Sequence, residues 1–326
     1  MADDEIVTMT DIETSSRMLQ DLVSAVSGVI KGKKEFLELL ITAIAAGGHV
    51  LLEDMPGLGK TTAARTLAAL IDTEEDDVHG FNRIQFTPDL LPYDITGVDV
   101  YHPESGGFKF APGPIFASIV LADEINRTTP KVQSALLEVM AENQVTVGGH
   151  SHSMGRFFFV IATQNPVEIE GTYTLPIAQL DRFLMRLSIG YPDSDAEYLI
   201  VTEDPSVKTV PLLRPVCSVS DILNAREAAQ QIHCDERLIR TVIEVASSTR
   251  AMDGIDVGIS PRGPLMLLKS AKALALLRGR GYVIDQDLLD LAEPVLAHRL
   301  IFNNAKKCGI NIIRELMLDS LDKIDY

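Results

Sequence analysis

The segment from His49 to Thr62 constrains the fold more than any other part of the chain, because an apolar run leads directly into a glycine-rich turn. Such a run is typical of a buried strand, and Gly57 and Gly59 allow the backbone to turn its amide groups inward. A helix that begins at Lys60 adds the positive end of its dipole at the same point. Because inward amides and a helix N-terminus together bind polyphosphate, the sequence predicts a nucleoside triphosphate site on an α/β fold.

Individual residues of this turn have separate expected roles. We predict that the nucleotide contacts the turn and the first helical residues, namely Pro56, Gly57, Leu58, Gly59, Lys60, Thr61 and Thr62. Lys60 places a positive charge on the β and γ phosphates, and the Thr61 hydroxyl is a ligand for Mg²⁺. Asp54 stands six residues before Lys60, where the usual motif has glycine. Pro56 and Gly57 still supply a tight turn, so the phosphate-binding prediction is retained.

Length and composition set the class of protein. A chain of 326 residues is long enough for about two domains. The formal net charge of −17 argues against a dedicated nucleic-acid surface, which needs clustered Lys and Arg. Cys217, Cys234 and Cys308 are far apart, so neither a disulfide framework nor a zinc site is expected. An acidic N-terminus and apolar runs shorter than a membrane span predict a cytoplasmic protein without membrane insertion.

Hydrophobic periodicity divides the chain into two parts. Up to residue 205, apolar strands alternate with amphipathic helices, which predicts a parallel sheet with helices on both faces. The strands are expected at Arg83–Phe86, Ile119–Ala122, Phe157–Ala162 and Leu187–Ile189. Residues 206–326 show only helical periodicity and predict a linker and an all-α domain. Prolines between Tyr191 and Val219 mark the joint.

Two hairpins are expected on the sheet domain. The first joins Gly97–Tyr101 to Phe108–Phe110, and the second joins Gln144–Val147 to a strand that begins near Arg156. His150 and His152 alternate as two metal ligands on one strand face would, but no carboxylate or thiol lies nearby, and a surface turn is favoured. A third loop, the acidic run Glu74–Asp77, is predicted to be solvated.

Acidic and amide side chains follow two of the predicted strands. Asp123 and Glu124 come directly after Ile119–Ala122. At this position Asp123 is expected to hold Mg²⁺ beside Thr61, and Glu124 is expected to act as general base on the attacking water. The next strand ends before Asn165, whose uncharged amide can hydrogen-bond both the γ phosphate and that water.

A helix start in the second part supplies a further candidate. Ser260 is predicted as the N-cap and Pro261 as the first helical residue. Arg262 then lies in the first turn, where the helix dipole disfavours a cation. A γ phosphate is a suitable compensating anion.

This ordered set of residues resembles the AAA+ ATPases, and the sequences of its motifs are similar to those of the MoxR family. The matching phrases are Leu-Glu-Asp-Met-Pro-Gly-Leu-Gly-Lys-Thr, Ala-Asp-Glu-Ile-Asn-Arg, Ala-Thr-Gln-Asn-Pro, Gln-Leu-Asp-Arg-Phe and Ser-Pro-Arg. The resemblance covers nearly the whole chain, from about residue 15 onward. The resemblance implies an AAA+ P-loop NTPase core over residues 1–205 and a C-terminal all-α lid domain over residues 206–326.

The resemblance also implies roles for individual residues. Lys60 and Thr61 correspond to Walker A, Asp123 and Glu124 to Walker B, Asn165 to sensor 1, Arg262 to sensor 2, and Val29, Ile30 and Gly32 to the segment that packs on adenine. Arg182 resembles the arginine finger that acts on ATP held by the adjacent subunit, with Arg186, one helical turn on, as the alternative. The two hairpins resemble the helix-2 insert and the pre-sensor-1 hairpin, which face the ring pore.

The implied function is that of an ATP- and Mg²⁺-dependent remodelling chaperone. The resemblance favours a hexameric ring that acts on client complexes together with partners containing von Willebrand factor A domains. A nucleic-acid motor stays open because helicase relatives share the hairpin inserts, although the acidic charge opposes it. A nucleotide-dependent switch with little hydrolysis also stays open, although Glu124, Asn165 and Arg182 oppose it.

Overall fold

Helices alternate with strands in the first two thirds of the chain and predominate in the last third. The computed structural model describes residues 9–73, 79–104, 106–166, 171–303 and 309–323. The helices in these ranges are α1 Met9–Ser27, α2 Lys34–Ala45, α3 Lys60–Leu70, α4 Pro92–Thr96, α5 Pro130–Glu142, α6 Ile177–Leu180, α7 Ser194–Glu203, α8 Pro205–Lys208, α9 Val219–Gln231, α10 Glu236–Ala251, α11 Arg262–Leu277, α12 Asp285–Leu296 and α13 Gly309–Leu321. The strands are β1 Val50–Glu53, β2 Ile71–Asp72, β3 His79–Gln85, β4 Gly97–His102, β5 Gly107–Pro112, β6 Ala117–Asp123, β7 Gln144–Val147, β8 His150–Ser153, β9 Phe159–Gln164, β10 Met185–Leu187, β11 Cys217–Ser218, β12 Ile255–Val257 and β13 Ile301–Phe302.

Five strands form a parallel sheet in the order β10-β1-β9-β6-β3. The glycine-rich turn follows β1, Asp123 ends β6, and Asn165 follows β9. Parallel strands end at the same edge, so these groups converge, and β1 lies at the point where the strand order reverses. Ligands of open α/β sheets bind at such an edge. The predicted parallel sheet flanked by helices is confirmed.

The sheet is buried on both faces, which explains its wholly apolar strands. Ile119 and Leu121 of β6 face one core, whereas Val120 and Ala122 face the other. The first core continues through α1, α2 and α3 into the helices after residue 219. The second lies against α5 and the hairpins. Sheet and later helices therefore share one continuous apolar core.

The region after residue 219 is helical as predicted, apart from the short pair β12–β13. The predicted joint from Tyr191 to Val219 differs from a plain linker, because it contains α7 and α8. Asp193 caps α7 by accepting a hydrogen bond from the Ala196 amide at 2.8 Å. The helix buries only Ala196, so it leaves no apolar periodicity in the sequence. The boundary at residue 205 stays a prediction.

The first predicted hairpin is confirmed as β4–β5, whereas the second is shorter than predicted. Strand β7 pairs with β8 across Gly148 and Gly149, whose φ values are +58° and +84°. The prediction of a strand that begins near Arg156 is therefore wrong. His150 and His152 lie in strand β8 rather than in a turn. The His152 ring stacks on Phe110 of β5 with 3.8 Å between ring centroids, so the hairpins contact each other.

Other expectations differ in smaller ways or lie outside the described residues. The last sheet strand is Met185–Leu187 rather than Leu187–Ile189. The acidic run Glu74–Asp77 and Cys308 lie outside the described ranges, and within them Cys217 and Cys234 are free thiols. No three of the described His, Cys, Asp and Glu residues are grouped as ligands of one metal ion. No helix in these ranges combines the length and apolar character needed to cross a membrane.

Candidate functional site

The glycine-rich turn forms an open cradle at the end of β1. Gly57 and Gly59 have φ values of +86° and +88°, which residues with a Cβ rarely adopt. A Cβ at either position would meet no atom within 4 Å, so the turn leaves open space beside it. Helix α3 begins at Lys60 as predicted, and no side chain caps it. Its first amides are therefore suited to an anion.

Asp54 has a structural role that explains its departure from the usual glycine. The buried carboxylate accepts hydrogen bonds from the Ser188 hydroxyl at 2.7 Å, the Ile189 amide at 2.5 Å and the Gly190 amide at 3.2 Å. Its carbonyl oxygen accepts from Lys60 Nζ at 2.8 Å. Asp54 thus ties the glycine-rich turn to the segment after β10.

Asp123 is held by residues of both neighbouring strands. Thr163 on β9 donates its hydroxyl to Oδ1 at 2.6 Å. Arg83 on β3 donates Nη2 and Nε to Oδ2 at 2.7 and 3.1 Å. Thr61 lines the same cavity as Asp123, and hydroxyl and carboxylate oxygens are the ligands that Mg²⁺ prefers. The pair therefore fits the predicted metal, and Arg83 donates to one of the two carboxylate oxygens.

Glu124 adopts a left-handed conformation with φ +59° and ψ +50°, which costs a non-glycine residue roughly 1–3 kcal/mol. Its amide donates to the Thr163 hydroxyl at 2.9 Å. Its Oε2 accepts from Gln85 Nε2 at 2.7 Å and from Arg127 Nε at 3.0 Å. These contacts fix the strained residue, and Thr163 connects it directly to Asp123.

One cavity of about 380 Å³ brings most of the predicted site residues together. The turn, the two acids and the candidate sensor meet there: Pro56, Gly57, Gly59, Lys60, Thr61, Thr62, Asp123, Glu124 and Asn165, beside Arg83 and Gln85. Leu58 is half-buried and is not part of the lining. Amides and Lys60 on one side and carboxylates on the other suit a polyphosphate chelated to a cation.

The two candidate arginines do not line this cavity. Arg182 follows α6 and donates Nη1 to the Leu137 carbonyl in α5 at 2.8 Å. Arg262 is exposed at the start of α11. Neither side chain is therefore among the residues that line the cavity of its own chain.

The predicted adenine segment lies at another cavity, of about 730 Å³. Ile30 and Gly32 line it, whereas Val29 is buried. Gly32 has φ +69°, and a Cβ there would approach Ala196 Cβ of α7 to 2.8 Å. Only glycine therefore allows this segment to lie against α7.

Two local predictions need correction. Arg186 lies on β10, not one helical turn beyond Arg182, and its Nη1 pairs with Glu53 Oε2 of the same chain at 3.2 Å. Helix α11 begins at Arg262 with Pro261 as the N-cap, so Ser260 does not cap it. The Ser260 hydroxyl instead contacts Asp181 Oδ2 at 3.5 Å.

Three site residues are not predicted from the sequence: Arg83, Gln85 and Thr163. Arg83 and Gln85 alternate with an apolar residue, a pattern that places both on one side of a strand. Their partners follow only from the register, which sets Gln85 opposite Asp123. Thr163 ends an apolar run, where nothing in the sequence distinguishes it.

Comparison with known proteins agrees with this geometry. Residues 49–185 match the model of the ATPase family associated with various cellular activities (AAA), and residues 247–315 match that of the AAA lid domain. The chain is 45% identical over 304 residues to YeaC, an uncharacterised protein of Bacillus subtilis, covering 92% of this chain and 93% of YeaC. It is 40% identical over 292 residues to chaperone MoxR1 of Mycobacterium tuberculosis, covering 87% and 75%. The crystal structure of a candidate ATPase from Cytophaga hutchinsonii matches with a TM-score of 0.85 at 35% identity, over 97% of both chains.

Proposed function

Because the chain belongs to the MoxR family of AAA+ ATPases, we propose that it hydrolyses ATP in the cavity between the glycine-rich turn and β6. The observation that carries the proposal is the meeting of Lys60, Thr61, Asp123, Glu124 and Asn165 at one cavity. Phosphoryl transfer depends mainly on positioning and on charge stabilisation. This set of residues supplies both.

The chemistry follows from the residues. The amides of the turn and Lys60 bind the β and γ phosphates. Thr61 and Asp123 would hold Mg²⁺, which when bound neutralises charge on the phosphate oxygens. Glu124 accepts a proton from water as the water oxygen attacks the γ phosphorus. The bond from that phosphorus to the bridging oxygen breaks, which leaves ADP and inorganic phosphate.

Three residues complete the proposed site. Asn165 hydrogen-bonds the γ phosphate and orients the water, and Arg262 approaches from the lid. Arg182 acts on the cavity of a neighbouring copy, a role supported by its absence from the residues that line the cavity of its own chain. The site then needs a second subunit, so we propose a ring, with six copies as the expected number. An arginine supplied in this way contributes on the order of 10³ or more in rate.

The proposal extends to domains and partners. We assign residues 1–205 to the nucleotide-binding domain and residues 206–326 to the linker and lid, a division supported by family matches on either side of it. Val29, Ile30 and Gly32 would contact adenine. We further propose that the ring remodels client proteins through the β4–β5 and β7–β8 hairpins, with partners that contain von Willebrand factor A domains. The similarity to chaperone MoxR1 supports the chaperone role.

Steady-state phosphate release and ATP binding test the enzyme. Lys60→Ala is expected to lose ATP binding, and Glu124→Gln and Arg182→Ala to bind ATP without turnover. Arg186→Ala is the next test, because Arg186 is the alternative finger and its side chain is paired with Glu53 in its own chain. Normal turnover by Arg182→Ala would remove the finger assignment. Normal turnover by Lys60→Ala would remove this cavity as the site of hydrolysis, and absence of turnover by the wild-type protein would remove the ATPase proposal.

Capture of partners tests the chaperone role. Glu124→Gln, loaded with ATP and Mg²⁺, serves as bait in extract of the source cells, with Lys60→Ala as the control without bound nucleotide. Retention of a von Willebrand factor A protein by the first bait alone is expected. Retention of nucleic acid or replication proteins instead would favour a motor.

A further inference from the structure

A buried arginine of the lid is bound to the segment that carries Arg182. Arg299 is 2% exposed, and its Nε donates to Asp181 Oδ1 at 2.8 Å. Its Nη2 donates to the Phe183 carbonyl at 2.6 Å, and its Nη1 donates to the Leu184 carbonyl at 3.4 Å. A single lid side chain thus binds the residues on both sides of Arg182.

The same aspartate also contacts the start of α11. The Ser260 hydroxyl lies 3.5 Å from Asp181 Oδ2, the oxygen that Arg299 Nε does not use. Ser260 stands two residues before Arg262. A Cβ on Gly263 would lie 3.6 Å from Arg299 Cδ, so the start of α11 packs directly on this arginine. The lid therefore reaches Asp181 through two elements, one of which carries Arg262.

Packing of the lid against residues 181–184 does not by itself require an ion pair between Arg299 and Asp181. Burial lowers the pKa of the Arg299 guanidinium to about 10, against the opposing effect of Asp181. Replacement of buried ion pairs by apolar residues is often neutral for stability or even favourable. A planar guanidinium fork does, however, fix several acceptors in one geometry. Here the acceptors outside the lid belong to residues 181–184, and Nη1 also donates to the Val295 carbonyl of α12, so the fork joins the two segments.

We propose that Arg299 and Asp181 form a junction that transmits the position of the lid to Arg182. Contact of Arg262 with a γ phosphate in one subunit would thus determine the position of Arg182 of the same subunit. That Arg182 is the arginine that acts in the cavity of the neighbouring subunit. Arg299 is a positioning residue in this scheme and does not touch ATP. The inference rests on the proposed role of Arg182 in the neighbouring cavity.

In mixed rings, the junction can be changed in one copy while ATP is hydrolysed in the cavity of another copy. A receiving copy carries Arg182→Ala and keeps an intact cavity. A donating copy carries Glu124→Gln and keeps the arginine. Neither copy alone is expected to hydrolyse ATP, whereas their mixture is expected to regain turnover. Failure of this mixture would overturn the trans role of Arg182, and with it the junction.

The junction is then changed in the donating copy alone. Arg299→Lys keeps the charge without the fork, and the pair Asp181→Asn with Arg299→Gln keeps hydrogen-bonding groups without charge. Both are expected to lower kcat of the mixture at least about tenfold, since misplacement of a catalytic group by 1 Å costs roughly 10²-fold. KM for ATP and ring mass are expected to stay unchanged, because the working cavities belong to the unaltered copy.

Arg280→Lys in the donating copy is the matched control. Arg280 pairs with the buried Asp287 inside the lid at 2.6 Å. A mixture that contains this donating copy is therefore expected to keep the kcat of the mixture with the parent donor. The proposal is overturned if both junction variants complement as well as the parent donor. It is also overturned if both unfold or fail to assemble, because Arg299 would then serve only to hold the lid on the sheet.

Discussion

Replacement of Arg83 by glutamine is expected to tighten the binding of Mg²⁺, although it removes a residue from the nucleotide cavity. The Arg83 guanidinium donates two hydrogen bonds to Asp123 Oδ2, at 2.7 and 3.1 Å. A metal ion that uses this oxygen has to displace them. A hydrogen bond to a charged group contributes about 1.5–3 kcal/mol. The Arg83 side chain is 42% exposed, so solvent screening reduces the cost of displacement to about 1 kcal/mol. Mg²⁺ should then bind about fivefold more tightly to the variant.

Titration of Mg²⁺ at a saturating concentration of a fluorescent ATP analogue measures this difference. Saturation matters because loss of the Arg83 charge is also expected to weaken nucleotide binding. Arg127→Gln is the control, since it removes the same charge from a residue that pairs with Glu124 Oε2 instead. Its metal affinity should change by less than about twofold. Equal or weaker Mg²⁺ binding by Arg83→Gln would show that the ion pair does not oppose the metal.

Three further results are expected. Asp54→Gly restores the residue of the usual motif but should lower the free energy of unfolding by about 3 kcal/mol in urea denaturation, because the buried Ile189 amide loses its acceptor; undiminished stability would contradict this account. Thr163→Val should reduce kcat about tenfold or more, while Thr163→Ser retains it, because the hydroxyl joins both acidic residues; equal kcat values for the two variants would refute this role. Burial lowers the pKa of His49 from 6.5 to about 4, so its contribution to stability should be complete above pH 6.5 and should fall by about 3 kcal/mol as the pH decreases to 4, because between these two values the unfolded chain binds the proton more tightly than the folded chain does. The difference in unfolding free energy between wild type and His49→Gln should show this pH dependence, and a constant difference would contradict it.

Local signals in the sequence predicted the elements that position the phosphate site. Helix α5 occupies Pro130–Glu142 as predicted, because its apolar residues repeat at helical spacing. The turn at Gly57 and Gly59 needs left-handed backbone, which glycine indicates by itself. Such features depend on neighbours in the chain, so a single sequence is sufficient to predict them.

The remaining features depend on partners distant in sequence. In the sequence, Asp54 is only a departure from the usual motif. The structure shows that its carboxylate accepts hydrogen bonds from residues 188–190. The bond from Arg83 to Asp123 follows from the pairing of β3 with β6. Helix α7 exposes nearly all of its apolar residues, so the periodicity that identifies packed helices is absent there. Long-range pairing therefore limits prediction of this site more than local propensity does.

Each charged group of the cavity is bound to another group of the protein, and in the proposed function these are the contacts that ATP and Mg²⁺ would replace. Lys60 is bound to the Asp54 carbonyl, Asp123 to Arg83, and Glu124 to Gln85 and Arg127. Nucleotide and metal have to exchange these bonds for their own, so part of their binding free energy is used to release protein contacts. The released contacts lead to β3 and to the segment that Asp54 holds after β10. That segment leads directly into the chain joining the sheet to the lid, so in the proposed function exchange of the Lys60 bond at the phosphates would connect ATP binding to the lid.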